Sequence, residues 1–269
     1  MRKENNYIIE GGAEGKKRLD VLSEVLNDHS LSLITSGISL VGKSVLELGC
    51  GGGNLTRTLA RQIGDSRKVT AIDFDGEILA LAKEQATNEG IRNINFIAMD
   101  AYQIAYVEEF DIVYTRFLLS HLKEPLRLLE KMIQALKPGG KIIIEDIDFS
   151  GHFCFPPSPA FNTYQDLFIA AATNNGQNPH IGLSLFSLLN ETDLHEVNYE
   201  VFQPSHRTGK GKWMAYHTMD KIKDTVIKQN LATQDEVSNI LRDLELFTRN
   251  ENTILSLPRV FGAWGYKPD

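Results

Sequence analysis

The sequence is short of cysteine, of clustered positive charge and of long apolar runs, and each shortage removes a class of protein. Its two cysteines, Cys50 and Cys154, are too few for a disulfide framework and fit a reducing cytoplasm, the expected location. They have no paired histidine spacing, so no metal site is expected. No run of about 18 apolar residues occurs, so no helix is expected to span a membrane. The opening residues, Met-Arg-Lys-Glu-Asn-Asn, lead into no apolar signal core. The 28 basic residues are outnumbered by 35 acidic ones, for a net charge of −7, and Lys and Arg are scattered. A nucleic-acid surface normally needs clustered positive charge, so a polynucleotide partner is disfavoured.

What is present is an alternation of two patterns. Val45–Leu48, Val69–Asp73, Ile94–Ala98, Asp111–Tyr114 and Lys141–Asp146 read as strands. They are nearly continuous apolar runs, as expected of parallel strands covered on both faces. Helical periods lie between them: Leu55, Leu59 and Ile63; then Ile78, Leu79, Ala82 and Ala86 behind an N-cap at Asp75; then Leu126, Leu129, Met132, Ile133 and Leu136. The last stops at Lys137-Pro-Gly-Gly140. Repeated βαβ units predict a doubly wound parallel sheet with right-handed crossovers. Before this core, Leu19, Leu22, Val25 and Leu26 form a helical stripe. After it come an aromatic, proline-rich loop at 151–159, helical patterns at 160–174, 181–194, 212–229 and 234–248, and strands at Val197–Phe202 and Val260–Tyr266.

The first strand turns at Gly49-Cys-Gly-Gly-Gly53. Glycines let a backbone bend tightly and approach a ligand, and ligands of open α/β sheets lie beyond the carboxyl ends of strands. The dinucleotide fingerprint Gly-x-Gly-x-x-Gly fails in both frames, because the third position falls on Asn54 or Thr56. The phosphate-loop pattern fails too: Gly42-Lys43-Ser44 precedes the strand rather than following the turn. Asp73, 24 residues after Gly49, stands near where a ribose-gripping carboxylate is expected.

These residues resemble the class I S-adenosylmethionine (SAM)-dependent methyltransferases. The family's first motif appears as Glu47-Leu-Gly49-Cys-Gly51-Gly-Gly53, its ribose-binding acid as Asp73, and the adenine-packing residue after it as Phe74. Its third acidic landmark appears as Met99-Asp100-Ala101, and its fourth strand as Phe110-Asp-Ile-Val-Tyr-Thr-Arg-Phe117. Leu136-Lys-Pro-Gly-Gly-Lys-Ile142 matches the family's approach to the fifth strand. The resemblance covers about residues 40–150. It implies a mostly parallel, seven-stranded Rossmann-like sheet with added lid helices, and SAM as methyl donor with S-adenosylhomocysteine (SAH) as product. Residues 1–40 are then a helical lead-in or lid, 41–150 the SAM-binding core, and 151–269 the completion of the sheet with inserted lid helices, all within one domain. The donor site is expected to use Glu47, Gly49, Cys50, Gly51, Asp73, Phe74, Asp100, Ala101, Thr115 and Arg116, with direct contact at Gly49 and Gly51. Some relatives close an N-terminal tyrosine over SAM, which points to Tyr7; Arg18 also precedes the core and is a further candidate. Cys50 reads as a small buried filler rather than a reactive thiol.

Methyl transfer needs orientation, and a base only if the acceptor must lose a proton. His121 follows the fourth strand, where similar small-molecule methyltransferases often carry a histidine, commonly a structural one. Asp146, Asp148 and His152 follow the fifth strand and are expected to face the acceptor pocket. His206, Trp213, Tyr216 and His217 are candidates for lining a lid. The leading expectation is an enzyme methylating an O, N or C atom of a small molecule. One rival is an RNA or protein methyltransferase with a basic face at Lys210, Lys212, Lys221 and Lys223; another is a non-catalytic SAM-binding regulator. DNA amino-methyltransferases carry Asn/Asp-Pro-Pro-Tyr/Phe where this chain reads Tyr114-Thr-Arg-Phe117, which removes that rival.

Overall fold

The computed structural model describes residues 12–269. Helix α1 (Gly12–Thr35) precedes a run of alternating elements: β1 (Val45–Leu48), α2 (Asn54–Ile63), β2 (Val69–Asp73), α3 (Gly76–Asn88), β3 (Ile94–Ala98), β4 (Phe110–Arg116), α4 (Pro125–Ala135) and β5 (Leu136–Asp148). There follow β6 (Cys154–Phe155), α5 (Pro159–Asn174), α6 (Leu185–Asn190), β7 (His195–Phe202), β8 (Ser205–His206), α7 (Met214–Lys228), α8 (Gln234–Arg249), β9 (Ile254–Ser256) and β10 (Arg259–Tyr266).

Seven strands form one sheet in the order β3-β2-β1-β4-β5-β10-β7. The first five are mutually parallel, and β10 runs antiparallel to both its neighbours. This is the expected doubly wound sheet, and its strand order reverses between β1 and β4, where a ligand crevice opens. The inner strands are buried as their apolar runs require: β1 is fully buried, as are residues 140–146 of β5. At the edge, β3 departs from the two-sided expectation, with Asn95 and Ala98 exposed.

The helices follow local signals. Asp75 caps α3 by accepting from the N–H groups of Glu77 (3.0 Å) and Ile78 (3.2 Å). Pro125 and Pro159 occupy the first turns of α4 and α5. Thr233 and Glu236 close a capping box on α8. On α4 the buried residues are Leu128, Leu129, Met132 and Ala135, so the buried stripe is rotated from the one expected and leaves Leu126 half exposed. The Lys137–Gly140 segment is not a free turn. It bulges within β5, whose partner on β4 jumps from Phe110 opposite Leu136 to Ile112 opposite Lys141.

The chain beyond residue 150 builds a layer that sequence periodicity hides. The two-residue strands β6 and β8 flank β9 in a second small sheet. The 151–159 segment is therefore partly strand rather than all loop. The 181–194 pattern holds only a short helix, α6, after a 3-10 turn at Ile181–Ser184. Helices α5, α7 and α8 pack through Phe161, Phe168, Met219, Ile222, Val237 and Leu244 as a cluster of their own. Helix α1 is tied down at its C-terminal end by Lys141, whose buried Nζ donates to the carbonyls of Leu33 and Ser36, both at 3.0 Å. No described helix is long and apolar enough to cross a membrane.

Candidate functional site

The glycine turn sits at the carboxyl end of β1. The N–H groups of Gly49 and Cys50 both donate to the carbonyl of Ile72 on β2, at 2.8 and 3.1 Å, which hooks the turn onto the neighbouring strand. Gly51 and Gly53 adopt φ of 51° and 68°, a region that side chains disfavour. Space excludes a side chain as well. A Cβ on Gly51 would meet Leu19 Cδ1 at 3.1 Å, and one on Gly53 would meet Ala82 Cβ at 3.1 Å and Phe96 Cε1 at 3.2 Å. Arg57 clamps the turn from beneath, donating to the Gly52 carbonyl (3.1 Å) and the Asn54 side chain (2.5 Å) while pairing with Glu89 (3.1 Å).

Two carboxylates face the turn. Glu47 is buried, and its Oε2 accepts from Thr56 Oγ1 at 2.6 Å. Desolvation pushes its pKa up to about 7, against the lowering effects of the Thr56 bond and the Arg116 charge. Asp73 accepts from Gly51 N–H at 2.8 Å through Oδ2 and from Asp75 N–H at 3.0 Å through Oδ1. Burial raises its pKa and the backbone N–H bonds lower it, with a net rise. A carboxylate oxygen can accept two hydrogen bonds, so each Asp73 oxygen retains capacity for one ribose hydroxyl.

Glu47, Gly49, Cys50, Gly51, Asp73, Phe74, Asp100, Ala101 and Arg116 all line one cavity. Phe74 is 49% exposed, and its ring has face to offer a purine. Asp100 also caps the 3-10 turn at Ala101–Gln103 by accepting from Tyr102 N–H at 2.9 Å, so the capping role and the cavity position coincide. The Arg116 guanidinium reaches across to α1, donating to Ser30 Oγ (2.8 Å) and Asn27 Oδ1 (3.0 Å). Cys50 is packed with Ala71 and Leu79, and burial pushes its thiol pKa well up, which fits a filler and opposes a reactive thiolate. Thr115 departs from expectation. It is fully buried, its hydroxyl donates to the Leu48 carbonyl at 2.8 Å, and it does not line the cavity. Tyr7 lies outside the described residues. Arg18 does line the cavity, with Nε 3.4 Å from Thr218 Oγ1.

On the acceptor side, His121 and His152 line the cavity. Desolvation pulls both imidazoles down to about 3, assisted at His121 by the charge of Arg18. The expectation for Asp146 and Asp148 does not hold. Asp146 is fully buried and accepts from the N–H groups of Ser120 (3.0 Å) and Ile147 (2.9 Å), with its pKa pushed up to about 6 by desolvation. Asp148 pairs with Arg259 (2.6 Å) and His180 (2.9 Å). Alternation along β5 explains this: Ile147 faces the cavity, so its neighbours point the other way. His206, Trp213, Tyr216 and His217 do not line it either. On α7 it is Met214 and Thr218, one turn apart, that do, while Trp213 packs edge-on against Tyr216 and beneath Arg249.

Sequence reasoning missed Phe149, Tyr164 and Phe168, which build the cavity's aromatic wall. The signal was present in the apolar stripe of the 160–174 helix but not tied to the site. Phe117, also in the wall, has φ of 56°, a strained backbone for a side-chain-bearing residue and common at functional sites.

The cavity measures about 520 Å³, within the range of small-molecule sites. Its donor end fits SAM: paired hydrogen-bond capacity at Asp73, an exposed ring at Phe74, and a buried carboxylate at Glu47 that gains from a nearby cation. Among the described residues no three His, Cys, Asp or Glu side chains gather as a metal site would require.

Comparison with known proteins gives the family. Over 125 residues, 46% of this chain, the sequence is 33% identical to a ubiquinone biosynthesis O-methyltransferase of Coxiella burnetii, covering 52% of that protein. It is 30% identical, again over 125 residues and 46% of this chain, to a ubiquinone/menaquinone biosynthesis C-methyltransferase of Salmonella arizonae, covering 49% of it. The chain thus spans about half the length of the curated relatives it matches. The fold matches a SAM-dependent methyltransferase from Aquifex aeolicus with a TM-score of 0.53 at 17% identity, over 94% of this chain and 97% of that one. A family profile described as a methyltransferase domain matches residues 40–242, and the chain belongs to that family, whose methyl donor is SAM.

Proposed function

We propose that the protein is an enzyme that transfers the methyl group of SAM to an O, N or C atom of a small molecule, releasing SAH. The observation that carries this reading is that one cavity joins the glycine turn, Glu47 and Asp73 to a second, aromatic compartment made by α5 and α7. Asp73 would hold the ribose, Phe74 and Asp100 the adenine end, and Glu47 with the Gly49–Gly51 backbone the methionine end. Arg116 braces α1 against β4 through Ser30 and Asn27 and so shapes the same end. When bound, SAM supplies a methyl group already activated on a sulfonium. The chain's task is then to orient the acceptor and exclude water.

The rivals fit less well. The basic face needed for an RNA or protein substrate is weakened residue by residue. Lys212 is buried with Nζ on the Asn250 carbonyl (2.7 Å), Lys210 pairs with Glu24, and Lys223 pairs with Asp220. A regulatory SAM binder needs no acceptor compartment. The curated relatives are named for ubiquinone and menaquinone biosynthesis, which supports a small-molecule acceptor here. We infer a cytoplasmic location from the two free cysteines, and a division into lead-in helix, donor core and acceptor-side completion at about residues 40 and 150. The test is turnover of methyl-labelled SAM in a cell extract, with identification of the labelled product. Binding of SAM without label transfer to any small molecule would sink the enzymatic reading.

A further inference from the structure

With the methyl donor at the glycine turn, as proposed above, the other half of the cavity is left for the acceptor. Phe149, His152, Tyr164, Phe168, Met214 and Thr218 wall it. Phe149 lies flat on Phe168, with ring centroids 3.9 Å apart and 10° between planes. His152 meets Phe149 and Phe161 edge-on, at 5.2 and 4.8 Å. Walls of this kind favour a flat ring.

His152 is the polar exception in this wall. Its backbone is fixed on both sides, its N–H donating to the Phe149 carbonyl (3.2 Å) and its carbonyl accepting from Gln165 Nε2 (2.6 Å). Only 5% of the residue is exposed, and neither ring nitrogen closes a well-formed hydrogen bond; the one backbone group that acts on the ring is that of Ser256, which can engage a single nitrogen and leaves the other without a partner. Buried polar atoms are normally paired, so an orphan that lines a cavity points to a ligand. Burial keeps the ring neutral, and a neutral imidazole presents one bare nitrogen as acceptor.

Charge selects among acceptors. None of the residues that line the cavity beyond position 146 is Asp or Glu. Arg18 lines the same cavity, and its charge acts on both His121 and Tyr164. Against this wall an ammonium group would meet the Arg18 cation and neutral side chains, the cavity's carboxylates (Glu47, Asp73, Asp75, Asp100 and Glu124) all coming from the chain before it, and while protonated it has no lone pair to methylate. A ring hydroxyl meets a bare nitrogen for its proton and a positive field that favours negative charge on its oxygen.

We propose that the acceptor is a planar aromatic or enolic hydroxyl compound, and that its O–H donates to the bare ring nitrogen of His152, which orients the oxygen lone pair toward the methyl group. The balance is simple. An oxygen lone pair forms the new O–C bond, the electron pair of the broken C–S bond stays on sulfur, and the O–H proton is released to solvent. The products are a methyl ether, SAH and one proton.

The test is a binding experiment on the full chain saturated with SAH. It is titrated by calorimetry with 4-nitrophenol, with nitrobenzene, which lacks the hydroxyl, and with benzylamine. The phenol is expected to bind at least about tenfold tighter than nitrobenzene, because a site built for a hydroxyl discriminates against its absence. His152→Phe is expected to reduce that preference below about twofold, while SAM affinity and Tm stay as in the wild type. His152→Gln, which still offers an acceptor oxygen, is expected to restore part of it. The proposal is overturned if 4-nitrophenol does not bind, if His152→Phe keeps the preference, or if benzylamine binds more tightly than the phenol. A parallel SAM titration separates the two readings. Loss of SAM binding in the wild type would refute the donor site, whereas SAM binding without a phenol preference refutes the acceptor class alone.

Discussion

Replacing Asp73 with alanine should cripple SAM binding while leaving the fold nearly intact, and the size of the effect follows from its contacts. Each carboxylate oxygen already accepts one backbone N–H, from Gly51 and from Asp75, and each can take one ribose hydroxyl more. A hydrogen bond to a charged group contributes about 1.5–3 kcal/mol. Losing two therefore costs about 3–6 kcal/mol, or roughly 100-fold to 10,000-fold in affinity. Part of the stability lost with the two backbone bonds is offset, because the folded protein no longer holds a partly desolvated carboxylate. Calorimetric titration with SAM and SAH, alongside a thermal melt, reads both quantities. Asp73→Asn should fall between, since its amide nitrogen must face one of two backbone donors. A SAM affinity within threefold of wild type for Asp73→Ala, with an unchanged melt, would refute the ribose assignment.

Three further outcomes are expected. Glu47 is raised in the folded state from 4.5 to about 7, so the native protein keeps a proton that the unfolded chain releases, and stability falls as pH rises through that window. Asp146, raised from 3.8 to about 6, adds to the same slope. Glu47→Gln should then raise Tm at pH 8, by up to about 3 kcal/mol of stability at 1.36 kcal/mol per unit, with little change at pH 4.5; equal shifts at both pH values would contradict the desolvation argument. Gly53→Ala forces φ of 68° on a residue with a Cβ and crowds Ala82 and Phe96, so it should cost about 1–3 kcal/mol and weaken SAM binding, read by denaturant unfolding. Arg116→Lys keeps the charge but loses the fork that spans Ser30 and Asn27. SAM affinity is expected to drop at least about fivefold with Tm lower by a few degrees, and a fully wild-type lysine variant would remove the bracing role.

How much was legible in the sequence follows from the physics of each signal. The inner parallel strands and the glycine turn were readable because a strand buried on two faces is apolar nearly throughout, and a tight turn with repeated positive φ favours glycine. The acids at the strand ends were readable because their position in a βαβ unit sets their distance from the turn. The acceptor wall was not readable. Its members lie just after β5 and on α5 and α7, spread over more than 60 residues from Phe149 to Thr218, and only packing brings them together. Asp146 and Asp148 were misassigned because the side that each residue faces reverses at every step along a strand. Thr115 was misassigned because motif alignment finds its place on β4, not whether its hydroxyl looks into the cavity or back toward Leu48. The β6-β9-β8 sheet left no periodic trace, because two-residue strands are too short to show alternation.

The strand order carries a consequence for assembly. Strand β10 follows β7 in the chain by more than 50 residues yet lies between β5 and β7. A nascent chain that has not reached residue 259 can align its five parallel strands and form the glycine turn, but β7 then has no neighbour to pair with. The segment joining β5 to β10 includes α5, α7 and the small sheet, so the last large pairing step also encloses the acceptor compartment. Deleting residues 259–266 should therefore leave a chain with native-like parallel strands and an unsealed, aggregation-prone flank.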